Sequence, residues 1–324
     1  MELDTLRRAL HSMWPVAYAE VSCSSNLHAV TLEEHLVSTA QLIVELFSER
    51  LNYLERRYKS AEHCIGSLRE MAYLTGLLHD LGKASVYYMN NFIAKTVGGP
   101  RRSEHQEKCR ENKLQFVYHE YVAPLIIIHT LHNELSSHAR DRSEIYAMIN
   151  TYYTISRVIA RHHAAMTERH PMELMNLMTG FGRTGNVLTE VLKGLCEKES
   201  NVDDLLRVLK KNCMSRFCSE FLEKILSNLS AACTNPSSAM VHLKVLKAFD
   251  LKSCSGINEY DSYRIVSTLA GFLIVADNMV ASYCENRVSD DESTPAYVEI
   301  WRRELKAKPS GLKDKYLTER CLWL

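Results

Sequence analysis

A histidine and an aspartate stand side by side at the end of an apolar stretch, in Tyr73-Leu74-Thr75-Gly76-Leu77-Leu78-His79-Asp80-Leu81-Gly82-Lys83. Burying an imidazole and a carboxylate without partners is expensive, and a metal ion is the simplest remedy. Further candidate ligands are spaced along the chain. They are His35 in Leu32-Glu33-Glu34-His35-Leu36-Val37, His119 in Tyr118-His119-Glu120-Tyr121, the doublet His162-His163, and Asp277 in Leu273-Ile274-Val275-Ala276-Asp277-Asn278-Met279-Val280. Adjacent residues on a helix point about 100° apart, which suits two ions, with Asp80 bridging them and His79 on one. The same geometry lets at least one of His162 and His163 face a shared site. Asp277, in so apolar a run, must be paired, protonated or metal-bound.

Each doublet also has a bland reading. Among 14 histidines a His-Asp or His-His pair is nearly expected by chance, and a single core histidine is more often hydrogen-bonded than ligating. The weight rests on the ordered set, each member beside an apolar helical segment. His129, on an apolar face, is the residue most easily mistaken for His119. His11, His28, His63, His105, His132, His138, His170 and His242 lie in mostly polar contexts and read as solvated.

The elements that must position these residues read as nearly all helix. Only 12 Gly and 7 Pro punctuate the 324 residues, and strand-like alternation is scarce. Thr31-Leu32-Glu33-Glu34 has the form of a capping box opening a helix to about Tyr58. Helices follow over Ser67–Leu81, stopping at Gly82, over Ala84–Val97, over about Leu114–Leu135, and from Asp141-Arg142-Ser143-Glu144 to His162-His163. Residues 100–113 read as a charged loop. Residues 165–258 are less patterned, with short helical signals at Val187–Lys198, Val202–Lys211, Arg216–Leu229 and Met240–Phe249. They read as a helical insertion in one domain spanning 1–324, whose core covers about 31–164 and 259–285. Asp261–Glu285 is the last long buried helix, and an amphipathic tail covers about 293–324. The apolar run Ile265–Ala281 carries Ser267, Thr268, Asp277 and Asn278, so it reads as a buried helix rather than a membrane span.

Composition narrows the function classes. Lys plus Arg equals Asp plus Glu, 39 each, which argues against a protein that coats nucleic acid by bulk charge. Hydrophobic residues are 46% of the chain, enough for a sizeable core without disulfides. None of the ten cysteines forms a Cys-x-x-Cys pair, which removes a zinc ribbon. They read as reduced, core-filling thiols of a cytoplasmic protein, and no basic segment followed by an apolar one marks a signal peptide. Two strings mislead. Gly180-Phe181-Gly182-Arg183-Thr184-Gly185 matches a dinucleotide fingerprint but follows helix-like sequence, so it reads as a loop. Gly76–Lys83 resembles a phosphate-binding loop with one spacer too many, and Ala84 replaces the required Ser or Thr.

The order His35, His79-Asp80 with Gly82-Lys83, His119-Glu120, His162-His163 and Asp277 resembles the HD superfamily, and more narrowly the HD nuclease of type I CRISPR interference. The resemblance spans residues 31–285, although 165–258 matches no known pattern. No helicase follows, so the chain looks like the stand-alone nuclease subunit of archaeal type I-A systems. A polymerase-like type III relative is disfavoured by the unpermuted motif order and the absence of Gly-Gly-Asp-Asp.

The resemblance implies an all-α helical bundle around a dinuclear centre. His35, His79, Asp80 and Asp277 would hold one ion, and Asp80, His119, His162 and His163 the other. Two divalent ions about 3.5–4 Å apart can bridge a hydroxide and clamp a scissile phosphate. Imidazole-rich ligation favours Mn, Fe, Co, Ni or Zn; nucleases of this kind are also run on Mg. Asp80 and Lys83 are the candidate catalytic groups. Lys83 either grips a phosphate oxygen or serves a helix C-terminal dipole. Glu120 either orients a histidine or is solvated. Arg157 and Arg161 are candidates for a DNA path, as are Arg101-Arg102 and Lys210-Lys211. The implied activity is metal-dependent cleavage of single-stranded DNA, with a separate superfamily 2 helicase and a crRNA-guided surveillance complex as partners and no membrane. The rival readings are a phosphohydrolase acting on a nucleotide or cyclic dinucleotide, and a non-catalytic helical scaffold.

Overall fold

The computed structural model describes residues 3–21, 27–59, 62–98, 112–137, 142–162, 183–235, 258–285 and 322–323, and it is mostly helical. The chain opens with α1 (Leu3–Met13), β1 (Val16–Val21) and β2 (Leu27–Thr31). Then come α2 (Leu32–Leu46), α3 (Ser48–Arg57), α4 (Glu62–Ile65), α5 (Leu68–Leu78), a 3₁₀ turn at Leu81–Ala84 and α6 (Val86–Gly98). After β3 (Asn112–Lys113) and a second 3₁₀ turn at His119–Tyr121 come α7 (Val122–Ser137) and α8 (Arg142–Arg161). The remaining elements are α9 (Arg183–Leu195), α10 (Val202–Lys211), α11 (Arg216–Thr234), α12 (Glu259–Glu285) and β4 (Leu322–Trp323).

The mostly helical architecture agrees with the all-α expectation, and the strands add one small sheet that the sequence did not announce. They form one antiparallel sheet in the order β3-β1-β2-β4. The alternation that betrays a strand requires one wet face. β1 is buried almost throughout, at Val16, Ala17, Ala19, Glu20 and Val21, so no polar alternation is written into it. β3 and β4 have two residues each, too short to carry a pattern.

Helix boundaries moved for local reasons. The helix expected from Thr31 to Tyr58 breaks at Phe47, whose ring stacks 4.1 Å from Phe272 of α12. Thr31 caps α2 without a side-chain hydrogen bond, whereas Ser67 accepts from the Glu70 N–H at the start of α5. The helix expected from Leu114 begins at Val122. Pro124 has no N–H to donate to the Glu120 carbonyl, so the helix can start no more than a turn before it. Arg183 to Gly185, read as loop, opens α9. The expected helix at 240–249, the loop at 100–111 and the tail up to 321 lie outside the described residues.

α2, α5, α8 and α12 form the centre of the molecule. Leu36, Leu42, Leu74, Leu77, Ile155, Val158, Leu273 and Ala276 are buried there, and Leu192, Leu206 and Ile225 of α9–α11 join the same cluster. Among the described residues α12 is the helix long and apolar enough to cross a membrane, and half of that stretch is buried against the rest of the chain. Two glycines set the closest approaches. A Cβ on Gly76 would sit 2.5 Å from the Ala40 Cα, so α5 crosses α2 backbone to backbone. A Cβ on Gly82 would sit 2.5 Å from the His119 carbonyl oxygen, so the two 3₁₀ turns touch.

The cysteines also depart from expectation. Cys196 is bridged to Cys233 and Cys213 to Cys218, across Cα separations of 6.1 and 5.5 Å, and Cys64 is bridged as well. Helix packing brings Cys196 to Cys233, the turn between α10 and α11 brings Cys213 to Cys218, and separations of 37 and 5 carry no signature of either.

Candidate metal centre

The close crossings bring the candidate ligands together. His35 lies on α2, Asp277 on α12, His79 and Asp80 in the turn after α5, His119 in the second 3₁₀ turn, and His162 one residue past α8. All six are buried, with Asp277 the most accessible at 8%. His163 lies outside the described residues.

Asp80 sits at the middle and its two oxygens face different partners. Oδ2 lies 3.3 Å from His35 Nε2 and 3.4 Å from His79 Nε2. Asp277 Oδ1 approaches the same two nitrogens at 3.1 and 3.4 Å, and the nitrogens are 3.3 Å from each other. Oδ1 lies 3.0 Å from His119 Nε2 and 3.5 Å from His162 Nε2. Two groups of buried side chains, His35-His79-Asp80-Asp277 and Asp80-His119-His162, are thus placed to hold metal ions, with Asp80 in both.

Three of the four imidazoles are oriented by the backbone. Nδ1 of His79 donates to the Gly76 carbonyl at 2.9 Å, that of His119 to Phe116 at 2.5 Å, and that of His162 to Ile159 at 2.5 Å. Each acceptor lies three residues before its histidine. A proton held on Nδ1 leaves Nε2 with a bare lone pair. In the first group the His79 lone pair, His35 Nε2 and two carboxylate oxygens then converge, an arrangement that favours a cation or a proton between them. Donor atoms bound about 2.0–2.2 Å from one ion are spaced about 2.8–3.6 Å from one another in octahedral or tetrahedral geometry, and the observed 3.1–3.4 Å separations fall within that range.

Electrostatics agree. Burial opposes a charged ring at His79, but the Asp80 and Asp277 carboxylates outweigh it and push the imidazole up to about 10 in the metal-free protein. Burial would raise Asp80, yet His79, Lys83 and His119 hold it well below the usual carboxylate range. Asp277 is likewise held well below that range, burial being outweighed by His35 and His79. The site is built for positive charge at its centre.

Lys83 Nζ lies 2.7 Å from Asp80 Oδ2, 3.4 Å from the Ala17 carbonyl oxygen and 5.0 Å from the centre of the Phe116 ring. Its backbone acceptor belongs to β1, not to a helix end, so the dipole reading does not describe it. Glu120 Oε2 stands 3.6 Å from His119 Nδ1, too far for a hydrogen bond; the Phe116 carbonyl orients that ring instead. His129 is buried beside Asn133 and lies in neither group. His28, read as solvated, is buried on β2 opposite Glu20. Burial pushes its pKa down, with Glu20 opposing. Arg161 lies at the surface, donating to Ser267 Oγ and lying over the Tyr263 ring, and Lys210 pairs with Glu223. Arg101-Arg102 lie outside the described residues.

Sequence reasoning missed the carbonyls of Gly76, Phe116 and Ile159 as orienting groups; an acceptor three residues before a histidine has no residue type to reveal it. No family model, no curated protein and no solved structure matches this chain.

Proposed function

We propose that this chain is a divalent-metal-dependent phosphodiesterase of the HD type that cuts single-stranded DNA. One observation carries the reading: the two oxygens of Asp80 are divided between two sets of imidazole nitrogens. Divalent ions held there supply a water acidified toward neutral pH and positive charge for a phosphoryl group in transition. The donor set of four imidazoles and two carboxylates suits Mn, Fe, Co or Ni, with Mg and Zn as further candidates.

The protein's own residues do the rest. The backbone carbonyls fix three of the histidine rings, and Asp80 and Asp277 hold negative charge at the centre. Lys83, whose Nζ lies 2.7 Å from Asp80 Oδ2, is a compact ammonium suited to a non-bridging phosphate oxygen. The depth of the ligands favours a flexible strand, because a rigid duplex cannot bring a phosphate to a wholly buried carboxylate. Zero formal charge over the whole chain fits weak intrinsic affinity for DNA. That supports recruitment by partners that expose the strand, for which a separate superfamily 2 helicase and a crRNA-guided complex are the proposal.

The test is cleavage of single-stranded DNA, duplex DNA and a panel of nucleotides and cyclic dinucleotides with Mn²⁺. Preference for the single strand supports the reading. Turnover of small nucleotides alone would move the same centre to a phosphohydrolase. No turnover together with no metal uptake would leave a helical scaffold.

A further inference from the structure

Beside the metal centre the surface opens into a cavity of about 440 Å³, within the roughly 300–1,000 Å³ typical of small-ligand sites. Its floor is Tyr88, buried, with the hydroxyl donating to the Val117 carbonyl at 2.7 Å. Tyr87 and Tyr118 are half-buried walls, and Asn91, Gln115 and Lys95 form an exposed rim. Tyr118 is the residue immediately before the ligand candidate His119, and the Tyr88 ring lies 5.2 Å from Phe116, whose ring in turn lies 6.0 Å from His119. Cavity and metal centre therefore share a wall.

The lining specifies a ligand class. It offers aromatic rings, two side-chain amides with both donors and acceptors, and one ammonium, with no carboxylate among the described residues. Aromatic faces stack on any base, amides pair with base edges, and Lys95 suits an attached phosphate. Tyr118 adds an independent observation. Its backbone is left-handed, at φ 65° and ψ 13°, where glycine or asparagine would be easier to accommodate. A bulky aromatic held there at a backbone cost points to a use for its ring.

We propose that this cavity seats one nucleobase of the substrate, next to the phosphate presented to the metal centre. The inference deepens the proposed function and rests on it for the phosphate, while base binding itself can be tested separately. The probes are a short single strand carrying one 2-aminopurine and the free 2-aminopurine mononucleotide, mixed rapidly with the full chain and Mn²⁺ so that stacking is read as quenching before any bond is cut. The variants are Tyr87→Ala and Tyr118→Gly; the second relieves the backbone but removes a side chain packed against the core, so folding of each is checked by its melting temperature. We expect quenching with the native chain, its loss in both variants, and a KM about tenfold higher with kcat and metal content unchanged, the size of one lost stack. Quenching by the strand alone or also by the mononucleotide tells which source delivers the base, and either supports the cavity. Absent quenching with the native chain, or native quenching and KM in both variants, overturns it. Cleavage that survives such a result leaves the nuclease reading standing, and quenching without cleavage refutes that reading while the cavity remains.

Discussion

The two halves of the metal centre are built differently. The half around His35, His79 and Asp277 depends on helices crossing: α2 and α12 present their ligands from regular helical positions, and Gly76 against Ala40 sets the distance between α2 and α5. The half around His119 and His162 depends on turns: both histidines lie outside regular α-helix and are held by carbonyls three residues back. The first half has four ligand groups and the second, among the described residues, three. Donors carried on rigid helices are better preorganised than donors held on turns. If both halves hold ions as proposed, the helix-borne half is the expected tighter site and the turn-borne half the expected weaker one.

The largest expected effect erases the comparison altogether. Asp80→Ala removes the group common to both halves and should lower cleavage by at least about 10³-fold, the upper end for losing a single electrostatic stabiliser. Metal content should fall to zero, while far-ultraviolet circular dichroism retains its helical signature. Next, single-ligand variants should divide the halves. His35→Ala should abolish the tighter step of a Mn²⁺ titration, and His119→Ala the weaker step alone. Loss of both steps from His119→Ala would show that the halves are not separable.

How much of this was legible in the sequence follows the same division. His35 and Asp277 stand in apolar helical runs whose periodicity announces a helix, and α12 was delimited almost to its ends. His119 was located as a residue but given the wrong setting, because Pro124 and the left-handed Tyr118 replace the expected helix with a turn. The sheet escaped because β1 is buried almost throughout and its partners β3 and β4 are two residues long. The Cys196–Cys233 disulfide escaped because only helix packing brings those cysteines together, and the local Cys213–Cys218 bridge has no recognisable spacing. Gly76 and Gly82 were visible as residues, but their purpose depends on what a Cβ would meet.

Those glycines give a subtler test. Gly76→Ala forces α5 off α2 and should cost about 1–3 kcal/mol, as overpacking usually does, read as a lower urea midpoint. Because it moves His79 relative to His35, it should also weaken the tighter metal step about 10–100-fold, as loss of a supporting contact does. Gly82→Ala should destabilise by a similar amount while acting on the weaker step. The smallest effect is a pH dependence of the metal-free chain. Its charged His79, raised from 6.5 to about 10, contributes stability that is fully present below about 6.5. That contribution is lost as pH climbs through about 10. Metal-stripped protein should therefore melt progressively lower from pH 7 to pH 10, measured by thermal scans in chelator. Mn²⁺-loaded protein, with a metal in place of that proton, should lack this component.

Everything rests on Asp80 serving two cations at once. Crystals soaked in Mn²⁺ and measured at the manganese edge test it most directly. The account predicts two anomalous peaks, one beside each oxygen of Asp80, the first ringed by His35, His79 and Asp277 and the second by His119 and His162. No peak, or a single peak that Asp80 does not touch, would contradict it.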